Sequence, residues 1–366
     1  MKIELIREKL IESLVKADRV TSKNPTLAIL SCVLIGAADD QVVIKATNLE
    51  IGMEITIPAK VSNQGVVAIV AGPLISFLNS LPEEKNVLME LDSNKNINIH
   101  CGEHRAVLKT VPYEDFPIIS NNNENGFEID VKSISQGFQS VWYSSAVSGI
   151  KPELSSVYVY SDDEKADLVF VATDSFRLAE KRVRPKKPIS GISILVPFKN
   201  IPDLLKTIEN EDIVTVCIND HQISFSGNNI FVTSRLVNGS FPDYKRIIPG
   251  EFSTEVTLLK EDFAQGLKMM RVFSDKFNQI SMKVFPNKNH CEIISKNSDI
   301  GEGEYVFKSK IKGESVNLNF NHKYLSDPLA SIQGESLVIQ LNGAGKAAIL
   351  KSSNDPSFTY LVMPNK

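Results

Sequence analysis

The sequence predicts an α+β chain made of three repeats of one unit, and three observations carry that prediction. At 366 residues the chain exceeds the ~250–300 at which a single core usually stops growing, so two or three domains are expected. An alternating strand that runs into an amphipathic helix is written three times at near-constant spacing. Between those openings the signals are mostly strands, which gives each unit two helices covering one side of its sheets.

The three openings are "KIELIREKLIESLV" from Lys2, "FEIDVKSISQGFQSV" from Phe127 and "TEVTLLKEDFAQGLKMM" from Thr254, with Ile3, Ile129 and Val256 at matching points. Next come hairpins: "CVLIGAADDQVVIKATN" and "VYVYSDDEKADLVFVATD" place β-branched alternation on both sides of a polar turn. Each unit then offers a short helix, a charged turn and a further strand, in "GPLISFLNSLPEEKNVLMEL", "NIPDLLKTIENEDIVTVCI" and "YLSDPLASIQGESLVIQL". Val87, Ile213 and Leu337 head those last strands, again about a third of the chain apart. Phe116-Pro117 and Phe241-Pro242 fall where one unit gives way to the next. The proline is expected to stop a strand because it donates no ladder hydrogen bond, and the phenylalanine to anchor the exit on the core. The domains expected are therefore 1–123, 124–250 and 251–366, close to the commonest domain size. Three such units leave a sheet edge at each end, and head-to-tail pairing with a second copy closes such edges into a ring if the rotation is right.

Composition narrows the function. The net charge is −4, which excludes a protein that grips nucleic acid by bulk positive charge; if DNA is the partner, the basic residues must be segregated. Nowhere does the chain approach the ~18 uninterrupted apolar residues of a membrane span, and the charged amino terminus is not an export signal. Cys32, Cys101, Cys217 and Cys291 are too widely spaced for a disulfide framework or a paired metal site, as in a reducing cytoplasm.

The stretch from Asn24 to Ala59, "VATDSFRLAE" from Val171, "SRLVNGSFPDYKRIIP" and the terminal "LVMP" together resemble the bacterial DNA polymerase III beta subunit family, the sliding clamps. The match runs in order through the whole chain. It implies a head-to-tail homodimeric ring, helices inside and sheets outside, that encircles duplex DNA without reading its sequence. Such a clamp has no catalytic chemistry or cofactor and tethers the replicative polymerase alpha subunit, the clamp-loader delta subunit and other clamp-motif proteins. An acidic chain suits that role, since a topological tether must slide and cannot grip phosphates tightly.

Carried over position by position, the resemblance puts a partner-peptide cleft between the second and third units. Its first pocket comprises Leu154, Thr173, Ser175, Phe176, Arg177, Leu178, Pro242, Ile247, Leu361 and Met363, and its neighbour Asn321, Tyr324 and Pro364. Phe176 stands where histidine is common, making the pocket more apolar. Lys199 and Arg246 match DNA-contacting positions closely, Lys151 less so, and Lys23 stands beside Asn24, where relatives often carry arginine. Arg7, Lys9, Lys16 and Arg19 on the first helix, with Lys206, are the remaining candidates for a basic inner wall. At the dimer seam, Arg105, Ala106 and Leu108 would meet Val272, Phe273, Glu302 and Glu304 of another copy, with Asp299 and Lys109 nearby.

Enzymatic readings lack a site. "NGAGKAAI" has Gln340 where a phosphate loop needs its first glycine, and Ala347 where it needs a hydroxyl. "HCGEH" from His100, taken as one alternating strand, points Cys101 away from both histidines, so no metal site is expected. Asp174 after a strand is expected to cap a turn instead of serving as an acid or base.

Overall fold

Ile3 and Leu5 are buried and alternate with partly exposed neighbours, so the chain opens as a strand, Lys2–Ile6, with one face on a core. Leu10, Leu14, Ala17 and Val20 recur at helical spacing and form the buried stripe of α1, Arg7–Val20. The computed structural model describes all residues except 24–25, 82–85, 122–125, 344 and 366. Asn24, Lys366 and the expected boundary after residue 123 thus lie outside the described residues. The other α-helices are α2 (Ala71–Asn79), α3 (Val131–Gln139), α4 (Ile201–Ile208), α5 (Lys260–Met270) and α6 (His322–Ser326).

The repeat is structural as well as textual. Each opening strand pairs antiparallel with the strand headed by the second landmark: Lys2–Ile6 with Asn86–Leu91, Phe127–Asp130 with Ile213–Ile218, and Thr254–Leu259 with Ser336–Leu341. At the matching points Ile3 faces Met89, Ile129 faces Val214 and Val256 faces Ile339, which puts Asp212 and not Ile213 level with Val87 and Leu337. Ile213 is 52% exposed while Val214 is buried, so the expected landmark there is one residue off. A single-residue slip reverses which side chains face the core.

The chain divides into two compact units, residues 1–132 with 199–236, and 133–198 with 237–366. The first holds a five-stranded sheet in the order Lys60–Asn63, Lys2–Ile6, Asn86–Leu91, Asn96–Cys101, His104–Lys109. Its eight-stranded sheet runs Phe127–Asp130, Ile213–Ile218, Gln222–Ser226, Ile230–Arg235, Ile51–Pro58, Gln41–Thr47, Val33–Ala38, Gly65–Ile69. The second unit holds a nine-stranded sheet, Ser193–Pro197, Ser156–Asp162, Asp167–Thr173, Arg177–Val183, Phe358–Val362, Ala348–Ser352, Ser336–Leu341, Thr254–Leu259, Lys310–Gly313. Its four-stranded sheet is Gly301–Lys308, His290–Asn297, Gln279–Phe285, Val316–Asn321. The two larger sheets are therefore each shared between consecutive repeats.

Both expected hairpins form. Asp39 and Asp40 at positive φ make the first turn, as two-residue hairpin turns require. Two expectations fail in their reasons. The strands before the Phe-Pro pairs end at Lys109 and Arg235, well before Pro117 and Pro242, so neither proline stops a strand. The phenylalanines do anchor: Phe116 packs on Ile29, Leu30, Cys32 and Ala68, and Phe241 on the core beneath the nine-stranded sheet. "HCGEH" is a hairpin turning at Gly102, with φ 58°, so Cys101 lies directly across from His104 instead of pointing away from it. The thiol is buried and the imidazole exposed. Gly343 and Gly345 lie between the strands Ser336–Leu341 and Ala348–Ser352, so the element that follows them is a strand where a phosphate loop would lead into a helix.

Candidate functional site

The turn joining Asp167–Thr173 to Arg177–Val183 is built by its own side chains. Thr173 Oγ1 donates to the Arg177 carbonyl at 2.6 Å, and Asp174 Oδ1 accepts the N–H groups of Phe176 and Arg177 at 2.9 and 3.0 Å. The expected turn-capping role of Asp174 is thus met. Ser175 takes φ 78°, and Phe176 is left 62% exposed at the tip. The first repeat makes the same turn with Thr47 and Asn48, and Leu49 there has φ 75°.

Residues after the turn alternate between two faces of the nine-stranded sheet. Arg177 points to one. Its guanidinium, 5% exposed as a residue, bonds Asp174 Oδ2 at 2.9 Å, Asp327 Oδ2 at 2.5 Å and the Tyr143 carbonyl at 2.5 Å, and lies 4.4 Å from the Tyr324 ring centre. Burial opposes its charge, but Tyr360, Asp327 and Asp174 outweigh that and push its pKa up. Arg177 therefore fastens α6 and the turn together. Tyr324 also accepts the Tyr360 hydroxyl on its carbonyl at 2.7 Å, and the Asn321 side chain caps α6 by accepting the Lys323 N–H.

Leu178 points to the other face, where it forms one apolar cluster with Val169, Val171, Ile349, Leu361 and Tyr244, and Met363 packs at its margin. Met363 N–H bonds the Phe176 carbonyl at 2.8 Å, so the ladder between Arg177–Val183 and Phe358–Val362 runs on into the tail, and Asn365 N–H then reaches Asn319 at 2.7 Å. The Phe241–Ile248 segment crosses this face. Phe241 stacks on Tyr158 at 5.0 Å, which stacks on Tyr160 at 5.1 Å. Pro242 and Ile247 are exposed, the latter by 53%. Leu154 is buried where its loop closes, its carbonyl accepting the Ala146 N–H at 2.8 Å. Leu178, Leu361 and Met363 are thus together under a segment bearing Pro242 and Ile247, while Arg177 and Tyr324 form a second group on the opposite face; Pro364 follows in the tail.

Sequence reading missed Glu180. It is 8% exposed on the Leu178 face and accepts the Tyr244 hydroxyl at 2.5 Å and the Arg182 Nε at 2.9 Å. Arg182 continues to Asp162 at 2.7 Å. The available signal was a glutamate two residues beyond Leu178 in an alternating strand, a position where an unpaired carboxylate is costly.

The basic candidates are less free than expected. On α1, Arg7 donates to the Leu78 carbonyl at 2.9 Å, Lys16 to the Thr207 carbonyl at 3.1 Å, and Arg19 pairs with Asp203 at 3.0 Å. Burial lowers the Lys16 pKa. These three tie α1 to its neighbouring helices instead of lining an open basic wall. Lys206 pairs with Glu209 at 2.7 Å and Arg246 with Asp243 at 2.7 Å. Lys9, Lys23, Lys151 and Lys199 are exposed.

The two smaller sheets each end in an exposed strand from the expected seam. His104–Lys109 presents Arg105, Val107 and Lys109, with Ala106 and Leu108 half-buried. Gly301–Lys308 presents Glu302 and Glu304, Glu302 paired with Lys296 at 2.6 Å. Val272 is 64% exposed; Phe273 is half-buried with its ring against Gly303.

Three family models match in order: the DNA polymerase III beta subunit N-terminal domain over residues 1–120, its central domain over 128–243 and its C-terminal domain over 245–366. Curated relatives include the beta sliding clamps of Buchnera aphidicola, 26% identical over 99% of both chains, and of Bacillus subtilis, 24% identical over 100% of this chain and 99% of that one. Among solved structures, the Bacillus subtilis DNA polymerase sliding clamp superposes with a TM-score of 0.93 at 23% identity, covering 100% of this chain and 99% of the other. The Thermotoga maritima DNA polymerase III beta subunit gives 0.91 at 24%, with the same coverage.

Proposed function

The chain belongs to the DNA polymerase III beta subunit family, and from that premise we propose how this particular sequence carries out the family's work. It is a sliding clamp, a non-catalytic processivity factor for DNA polymerase that partners DNA and polymerase and assembles with itself. Its three repeats are taken as domains 1–123, 124–250 and 251–366. Two copies close head to tail around duplex DNA, with helices inside and sheets outside.

One observation carries the ring. Within the chain, the Ile51–Pro58 strand of repeat one pairs with Ile230–Arg235 of repeat two, and Arg177–Val183 of repeat two with Phe358–Val362 of repeat three. By the same step along the repeat, Gly301–Lys308 and His104–Lys109 are the members of this set left on sheet edges. One is acidic and the other basic, so each suits its counterpart on a second copy. Arg105, Ala106 and Leu108 then meet Val272, Phe273, Glu302 and Glu304, with apolar contact supplying most of the affinity, since surface ion pairs contribute only ~0–1 kcal/mol.

The repeat also supports one cleft per chain. At the equivalent of Leu178, Leu361 and Met363, the junction of repeats one and two has Gly52, Thr233 and Arg235. Only the second junction carries apolar residues at all three places. There Leu154, Thr173, Ser175, Phe176, Leu178, Pro242, Ile247, Leu361 and Met363 receive apolar anchors, each worth ~1.5–3 kcal/mol if fully buried. Asn321, Tyr324 and Pro364 flank them, and Arg177 holds the frame. The replicative polymerase alpha subunit, the clamp-loader delta subunit and other proteins bearing a short apolar motif are the partners, in the cytoplasm. No cofactor, metal or membrane is involved. Lys23, Lys151, Lys199 and Arg246 make weak, diffuse phosphate contacts.

Loading onto nicked circular DNA followed by gel filtration tests this reading. The protein should co-elute with circles and be released when they are linearised; equal retention on both forms, or on neither, overturns it. Lys199→Glu with Arg246→Glu should shorten retention on circles, and unchanged retention removes those two residues.

A further inference from the structure

Nothing in the Phe241–Ile248 segment is regular beyond the single turn Tyr244–Ile247, yet it carries both exposed wall residues of the cleft, Pro242 and Ile247. A segment of this kind holds its shape only where side chains fasten it. Tyr244, between the two, is 5% exposed and points its hydroxyl down onto the sheet. It donates to Glu180 at 2.5 Å, and since its one proton goes there, the 2.9 Å contact to Tyr160 is Tyr160 donating to Tyr244. Glu180 is held in turn by Arg182 at 2.9 Å, and Arg182 by Asp162 at 2.7 Å. Phe241 on Tyr158, Lys245 over the Tyr160 ring at 5.4 Å and the Tyr244 ring in the apolar cluster hold the segment by packing, and the hydroxyl adds a directional polar anchor on Glu180.

From this geometry we propose that the Tyr244–Glu180 hydrogen bond is a latch that sets the height of the Pro242 and Ile247 wall over Leu178 and Leu361, and so determines how tightly the cleft holds a partner's apolar anchor. Glu180 and Tyr244 are positioning residues; neither has to touch the partner. The proposal rests on the cleft reading above. Losing the hydroxyl takes the donor from Glu180 Oε2 while Arg182 keeps Oε1, so the segment loses its polar tie to the sheet and lifts.

The test is fluorescence anisotropy with a labelled peptide carrying the clamp-binding motif of the replicative polymerase, on the full chain, with circular dichroism and sedimentation confirming that each variant folds and assembles. Tyr244→Phe, which keeps the ring, should weaken binding about tenfold, mainly through faster dissociation. Glu180→Val should weaken it similarly, whereas Glu180→Gln, which keeps an acceptor, should bind within about twofold of the parent. In an Ile247→Ala background, Tyr244→Phe should cost little further, because the wall it positions is gone. Equal affinity for Tyr244→Phe and the parent overturns the latch, as does a Glu180→Gln loss as large as that of Glu180→Val, or a full tenfold loss persisting without Ile247. Should Tyr244→Phe fail to fold, the Glu180 pair decides alone. Failure of the parent itself to bind the peptide refutes the cleft, a distinct outcome from failure of the latch.

Discussion

Arg177 lies at the most invested point of the second unit, with two carboxylates and a carbonyl on one guanidinium that is almost fully enclosed. Removing one member of a buried ion pair costs about 3–5 kcal/mol because its partners stay behind uncompensated. Arg177→Ala should therefore lower unfolding free energy by that order in a urea titration, and a loss below about 1 kcal/mol would mean that Asp174 and Asp327 find water instead. At this scale the sequence was partly legible. Thr173-Asp174 announced its turn, because an Asx side chain that caps backbone N–H groups acts locally. The resemblance put Arg177 at the pocket, but its structural role was not legible, because its partner Asp327 is 150 residues away and no local pattern reports it. Glu180 was hidden for the same reason.

Among the elements, the opening helices of the three repeats share a device at their seventh position, occupied by Ser13, Gly137 and Gly266. A Cβ at 137 would sit 2.3 Å from the Phe170 ring, and one at 266 would sit 2.6 Å from Phe307, so a small residue lets each helix lie close on its sheet. Phe170 is fully buried and cannot swing aside. Alanine is the better helix former by up to about 1 kcal/mol, but overpacking costs about 1–3 kcal/mol. Gly137→Ala should thus destabilise on balance, by about 1 kcal/mol in chemical denaturation; a stabilised variant would show that α3 rides higher than its packing implies. Strand and helix identities were readable from alternation and from the buried stripe of α1. Register was not, because Ile213 and Val214 are equally apolar and only the pairing with Phe127–Asp130 decides which turns inward. The Phe-Pro pairs were read correctly as anchors and wrongly as strand stops, since proline marks where a strand cannot be without marking where it ended.

At the scale of the molecule, the threefold echo was the strongest signal in the text, and it predicts unfinished ends. Phe273, lying against Gly303 beside the exposed Glu302 and Glu304, is the residue through which the third repeat should meet a second copy. Phe273→Ala should raise the dimer dissociation constant by at least tenfold in analytical ultracentrifugation, as expected when a central aromatic anchor is cut. An unchanged constant would move the seam elsewhere. The partners of Arg7, Lys16 and Arg19 were not foreseeable: all three read as solvent-facing charges, and only packing reveals that they stitch helices together.

The sharing of each large sheet between consecutive repeats has a consequence during synthesis. Residues 133–198 emerge from the ribosome long before the Phe358–Val362 and Ala348–Ser352 strands that complete their sheet, whereas the first unit is whole once Leu236 is out. The nascent chain must therefore carry half of its middle repeat with an open strand edge at Arg177–Val183 until translation nearly ends, a window in which chaperones, or sticky neighbours on the same polysome, have their best opportunity.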